Sequence, residues 1–136
     1  MTGLDEVVAL LCDVIRIDTT NPPGNEETAA LYIKAFLDKE GLSSEILSPA
    51  PGRASIMATI EGKKRGKPAI LLSHSDVVPA REDGWEVPPF SGAIKDGFIY
   101  GRGAIDMKSQ LVCMLLAFVF LKREGITPER DIVFLA

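Results

Sequence analysis

The sequence predicts an α/β domain in which helices pack against a mainly parallel, mixed sheet. Three observations carry that expectation. Apolar residues recur at helical spacing in three stretches, short apolar runs of strand length stand between them, and Gly, Pro and Asn fall at the junctions. At 136 residues the chain has the length of one ordinary domain, enough to remove roughly two thirds of its unfolded surface from water. Hydrophobic residues make up 46% and charged residues 25%, and no long low-complexity tract occurs, so a packed core is expected rather than disorder.

The elements follow in order. Leu4, Val7, Val8, Leu11 and Ile15 share a helical face, which places a first helix over about Gly3 to Ile17 with Thr2 and Asp5 as its capping start. TNPPGNEE then interrupts the chain. Asn25 is expected to cap a second helix whose first turn holds Glu26 and Glu27, where carboxylates favour the helix dipole. Ala29, Tyr32, Ile33, Phe36 and Leu37 form its inward stripe, and Gly41 ends it. Strands are expected at Ser44 to Leu47, Ser55 to Ile60 and Ala69 to Ser73, the last apolar on both faces as an interior strand would be. Between two of them, the basic cluster GKKRGKP at Gly62 to Pro68 reads as a solvated hairpin tip. AIKDGFIYG reads as a β-hairpin turning at Asp96-Gly97, two residues that tolerate positive φ. A long helix runs from about Lys108 to Glu124, stopped by Gly125, and another apolar strand, Ile132 to Leu135, closes the sequence. A domain seldom finishes inside an interior strand, so a truncated chain is the expectation.

Composition narrows the function classes. The net charge of −4 argues against nucleic acid or an anionic membrane as the main partner. Cys12 and Cys113 lie among apolar neighbours with no CxxC spacing, and are expected to be buried free thiols in a reducing compartment. The N-terminal stretch alternates acids with apolar residues, unlike a signal peptide. The longest apolar run, Leu111 to Leu121, falls short of the roughly 20 residues of a bilayer-spanning helix. A cytoplasmic location is the resulting expectation.

The chain's single histidine, His74, ends the apolar run AILLSHSDVVPA at the C-terminal end of a candidate central strand, where open α/β sheets place their ligands. In extended backbone His74 and Asp76 point to the same side. Asp76 can then accept the imidazole N–H and fix which nitrogen faces a metal. The competing reading is a strand-end histidine bonded to a nearby turn that Asp76 caps. A second candidate lies in YGRGAIDMKSQ, Tyr100 to Gln110. Gly101-x-Gly103 lacks the third glycine of a dinucleotide fingerprint, and Asp106 in its place would repel pyrophosphate. Asp106 reads either as a carboxylate able to coordinate a cation or as a plain helix N-cap.

The succession SHSDVVP, then W-x-x-PPFSG-x-I-x-DG-x-IYGRGA-x-DMK, resembles the metallohydrolase family of acetylornithine deacetylase, succinyl-diaminopimelate desuccinylase, aminoacylase and glutamate carboxypeptidases. NPPGNE and RDIVFLA are similar to the same family's catalytic domain, in the right order. The resemblance implies the N-terminal part of a three-layer α/β/α zinc-peptidase-like catalytic domain, with the dimerisation domain and the C-terminal catalytic part absent. It implies His74 as a ligand of one of two zinc ions, for which cobalt can substitute, Asp106 as the carboxylate bridging both, and Asp76 as the catalytic acid that orients the histidine. It makes Asp106–Met107 a candidate cis peptide and leaves Lys108 without a mechanistic role, with a structural ion pair expected. The implied substrate is a small N-acyl amino acid or peptide, and the implied complete protein a homodimer. The family's general base and remaining ligands have no counterpart in the 136 residues. The isolated chain is therefore expected to be inactive, and the alternative is a non-catalytic binding or assembly module.

Overall fold

The computed structural model describes residues 3–81 and 83–136, so the expected capping role of Thr2 lies outside the described residues. Helix α1 spans Gly3–Arg16 and buries Leu10, Leu11, Val14 and Ile15; of the expected stripe only Leu11 and Ile15 are buried, Val7 and Val8 are half-buried and Leu4 is exposed, because the inward face is rotated toward Leu10 and Val14. Helix α2 spans Glu26–Lys39 and turns Ala29, Ala30, Ile33 and Leu37 inward. It begins after Asn25 as expected, yet the Asn25 side chain does not cap it. The amide Nδ2 instead donates to the Asp18 carbonyl at 3.0 Å, and its oxygen accepts from the Thr28 hydroxyl, so the side chain ties the helix to the preceding loop.

Strands β1 (Ser44–Ala50) and β2 (Arg53–Ile60) form an antiparallel hairpin. Both run longer than the apolar pattern suggests, because the turn at Pro51-Gly52 brings Ala50 opposite Arg53 and extends the pairing. Strand β3 (Ala69–Leu72) follows, then the two-stranded hairpin of β4 (Ala93–Lys95) and β5 (Phe98–Tyr100). Asp96 and Gly97 at its turn have φ of 52° and 80°, the doubly positive geometry expected there. Helix α3 spans Ser109–Arg123 and strand β6 spans Ile132–Leu135.

The main sheet has the order β1-β2-β6-β3 and is mixed as expected. Among the described strands it is not mainly parallel as expected: only β3 and β6 pair parallel, while β6 meets β2, and β2 meets β1, antiparallel, since a tight turn joins β1 to β2 and allows only an antiparallel pair. Ala54, Ile56 and Ala58 alternate inward along β2, and with Phe134 they form one core with the buried residues of all three helices. The Phe118 and Phe134 rings lie 6.0 Å apart at the centre of that core. Full burial of one such side chain stabilises the fold by about 1.5–3 kcal/mol.

Five further expectations differ from the structure. GKKRGKP is exposed but is not a hairpin tip, because β6 inserts between β2 and β3; the Lys63 and Lys64 N–H groups donate to the carbonyls of Pro128 and Glu129. Strand β3 is not interior among the described residues. It pairs only with β6, and its Ile70 and Leu72 are 55% and 61% exposed on the face that no helix covers. The helices here form one layer on one face of the sheet, and the third layer is not formed among the described residues. Cys12 is buried, but Cys113 is exposed. It shares the outer face of α3 with Ala117 and Phe120 at helical spacing, a face turned away from the core. Finally, among the described residues Lys108 makes no ion pair; its partners are described below.

The 15-residue α3 is about 22 Å long, below the roughly 30 Å of a bilayer core. Its Leu111, Val112, Leu115, Phe118 and Val119 are committed to the protein core.

Candidate metal site

His74 emerges just past the C-terminal end of β3, where the Ser73 N–H still donates to the Leu135 carbonyl at 3.0 Å and extends the parallel ladder. Asp76 falls on the same side, as the extended backbone requires. The imidazole Nδ1 lies 3.1 Å from Asp76 Oδ1 and 3.1 Å from the Asp76 main-chain oxygen. On the other side of the ring, Nε2 lies 3.1 Å from Asp106 Oδ1. Residues 32 positions apart therefore meet at one imidazole.

The approach of Asp106 is set by an irregular stretch between β5 and α3. Asp106 (φ −116°, ψ 99°) and Met107 (φ −135°, ψ 32°) leave helical geometry, and the Asp106–Met107 bond is cis, as the resemblance implies. This turns the Asp106 carboxylate out toward solvent, and it does not cap α3. Met107 folds back, so that its sulfur accepts from the His74 N–H at 3.4 Å. Gly103 explains how closely the two loops approach. Its φ is 82°, and a Cβ there would come within 2.5 Å of Val77 Cγ1. A side chain at that position would push the loop carrying Asp106 away from the one carrying Asp76.

Three supporting residues, Thr19, Asn21 and Lys108, have roles that the motifs do not reveal, although Asn21 lies in NPPGNE and Lys108 in DMK. Asn21, in the NPPG stretch, donates from Nδ2 to Asp76 Oδ2 at 3.0 Å. The Asn21 N–H donates to the Val77 carbonyl, the Val77 N–H to the Thr19 carbonyl, and the buried Thr19 hydroxyl to the Ser75 carbonyl. The loop holding Asn21 is thus sewn to the one holding His74 and Asp76. Lys108 is fully buried, and its Nζ donates to the carbonyls of Val14 and Ile17 at 3.0 and 2.7 Å. Burial pushes its ammonium down to about 8, against the opposing pull of Asp18. The signal that could have found these residues is only their chemistry, a buried lysine or an asparagine beside prolines; their partners are remote in sequence.

A cavity of about 460 Å³ opens beside the pair, lined by His74, Asp76, Ser73, Glu26 and Arg53 among others. Glu26 is buried in its wall, and Arg53 Nε stands 2.7 Å from Oε2 as a charge contact without hydrogen-bond alignment.

The electrostatics at His74 call for a cation. A neutral imidazole has one N–H and one lone pair, whereas both ring nitrogens here face carboxylate oxygens. Either a second proton or a metal ion must separate one nitrogen from its acceptor. In the tautomer that carries the proton on Nδ1, Asp76 would accept that N–H and Nε2 would be the nitrogen left for a metal. The donor set fits zinc: tetrahedral coordination at about 2.0–2.1 Å puts neighbouring donors roughly 3.3 Å apart, close to the 3.1 Å between Nε2 and Oδ1. Among the described residues no group of three or more His, Cys, Asp or Glu is arranged to hold an ion, so the pair supplies two donors and no closed site.

Comparison with known proteins bears on this geometry. Residues 70–136 match the model of peptidase family M20/M25/M40. The chain is 38% identical over 133 residues to a probable succinyl-diaminopimelate desuccinylase of Staphylococcus aureus, covering 96% of this chain and 31% of that protein. It is 44% identical over 101 residues to the mouse N-fatty-acyl-amino acid synthase/hydrolase PM20D1, covering 74% of this chain and 20% of the relative. The crystal structure of the M20 family metallo-carboxypeptidase Sso-CP2 from Sulfolobus solfataricus superposes with a TM-score of 0.81 at 26% identity, over 96% of this chain and 30% of that one. The chain thus spans about a third of the length of the desuccinylase and the carboxypeptidase.

Proposed function

This chain belongs to peptidase family M20/M25/M40, and from that premise we propose that it forms part of a metal-dependent hydrolase. The bond cleaved is the amide of an N-acyl amino acid or small peptide bearing a free carboxylate. The observation that carries this reading is the meeting of His74 Nε2 and Asp106 Oδ1 at 3.1 Å with Asp76 on the opposite ring nitrogen. When bound, a pair of zinc ions, or cobalt in their place, supplies Lewis-acid polarisation of the scissile carbonyl and a more acidic water.

The residues of this chain have separable tasks. His74 offers the Nε2 lone pair to one ion. Asp76 accepts the Nδ1 proton, holds the ring in that tautomer and orients it. Asp106 would offer one oxygen to the ion that His74 holds, and its second oxygen, which has no partner among the described residues, would be available to a second ion. The exposed position of Asp106 leaves that oxygen accessible. The cavity lined by His74 and Asp76 gives a small substrate room beside the imidazole.

The 136 residues constitute, in this proposal, the N-terminal part of the catalytic domain. Further donors and the general base come from elsewhere in the complete protein, which acts as a homodimer. The 31% share of the desuccinylase's length and the two-donor character of the pair support the supply of further donors from elsewhere. By themselves these residues bind a metal weakly and do not turn substrate over. The complete gene product, loaded with zinc or cobalt and assayed by amine release against a panel of N-acyl amino acids and dipeptides, is expected to hydrolyse at least one class. Failure across the panel with metal bound would contradict the assignment.

A further inference from the structure

Lys108 stands two residues beyond Asp106 but turns the opposite way, into the core, where it is fully buried. Its ammonium reaches the end of α1, bonding the carbonyls of Val14 and Ile17 across sequence separations of 94 and 91. Carbonyls of a final helical turn have no partner within their own helix and sit at the negative end of its dipole. A cation is the side chain best suited to them. The same residue is fixed from its own side as well, since its N–H donates to the Gly103 carbonyl at 2.9 Å. Its methylene stem packs under Gly103, where an added Cβ would lie 3.3 Å from Cδ and 2.5 Å from Val77 Cγ1. Lys108, Gly103 and Val77 are thus stacked, with Asp106 attached at one end and Asp76 at the other.

We infer that Lys108 is a positioning residue of the metal site: by anchoring residues 103–108 to the C-terminus of α1, it sets where the Asp106 carboxylate meets His74. The inference rests on the reading that His74 and Asp106 share a cation. An apolar residue of similar length would fill the space but leave two carbonyls without a donor. The segment would then shift to admit water, and the carboxylate would move with it.

The test is a zinc titration of the 136-residue chain against a chromophoric competitor, using wild type, Lys108→Met, Asp106→Asn, the double variant and His74→Ala. Lys108→Met is expected to weaken zinc binding by about tenfold and to alter the visible spectrum of bound cobalt. In the Asp106→Asn background, the same change is expected to have no further effect, because its action passes through that carboxylate. Wild-type affinity in Lys108→Met, or an equal loss in both backgrounds, would overturn the inference. If Lys108→Met does not fold, amide exchange of the wild type decides: zinc should slow exchange in residues 104–109 and 14–18 together, and slowing confined to the first segment would overturn it. An undiminished affinity in His74→Ala would instead sink the underlying metal reading, whichever way Lys108→Met behaves.

Discussion

Asn21 holds the carboxylate that holds the imidazole. Its Nδ2 occupies Asp76 Oδ2, leaving Oδ1 for His74 Nδ1. Removing that donor in Asn21→Ala frees the Asp76 carboxylate to rotate, and zinc affinity is expected to fall by about tenfold with little change in thermal stability. Competition titration beside a melting curve checks this, and unchanged affinity would show that Asp76 needs no such support. At this scale the sequence was legible wherever partners are close along the chain. His74 and Asp76 could be placed on one side from the two-residue repeat of extended backbone alone. The contact with Asp106 rested on resemblance, because no spacing rule brings residues 32 positions apart together. Lys108 was misjudged for a related reason. A buried lysine suggests a carboxylate partner, and the unpaired carbonyls of a helix end are invisible until the helix is placed beside it.

Among elements, Arg123 in the last turn of α3 joins the three helices. Its guanidinium forms paired hydrogen bonds with Glu6 of α1 and with Glu40 just past α2, at distances of 2.7 to 2.9 Å. The Arg123 hydrogen bonds hold both carboxyls below their ordinary value of 4.5, against the smaller opposing effect of burial. A depressed folded-state pKa contributes stability that is present above the unfolded value of 4.5 and is lost as pH falls through the folded values. Arg123→Met should therefore lower stability near neutrality by about 1 kcal/mol, since the network is partly exposed to solvent, or roughly 4 °C in a domain of this size. Its midpoint should also change less than that of wild type between neutrality and acid. Thermal melts across that range check both, and parallel acid profiles would contradict the linkage. The helices and the β4–β5 hairpin were readable because their signals are local: apolar period, positive-φ turn residues and a terminating glycine. Strand order was not. The insertion of β6 between β2 and β3 depends on pairings more than 60 residues distant in sequence, which turned an apparent hairpin tip into a crossover.

For the whole molecule, one helical layer and a four-stranded sheet bring three loops to a common edge: the Asn21 loop before α2, the His74 loop after β3 and the Asp106 segment before α3. The core behind them is continuous, so the loops are carried by rigid elements. The opposite sheet face carries exposed Ile70 and Leu72, the surface an interior strand would present to a further layer. That pattern is why β3 reads as interior in sequence while standing at an edge here. The proposed metal centre requires that His74 and Asp106 bind one cation between them. X-ray absorption at the zinc edge of the zinc-loaded chain tests this most directly. Imidazole scattering with nitrogen at about 2.0–2.1 Å is expected, lost in His74→Ala, together with a reduced oxygen shell in Asp106→Asn. A zinc spectrum identical in wild type and both variants would place the metal elsewhere and contradict it.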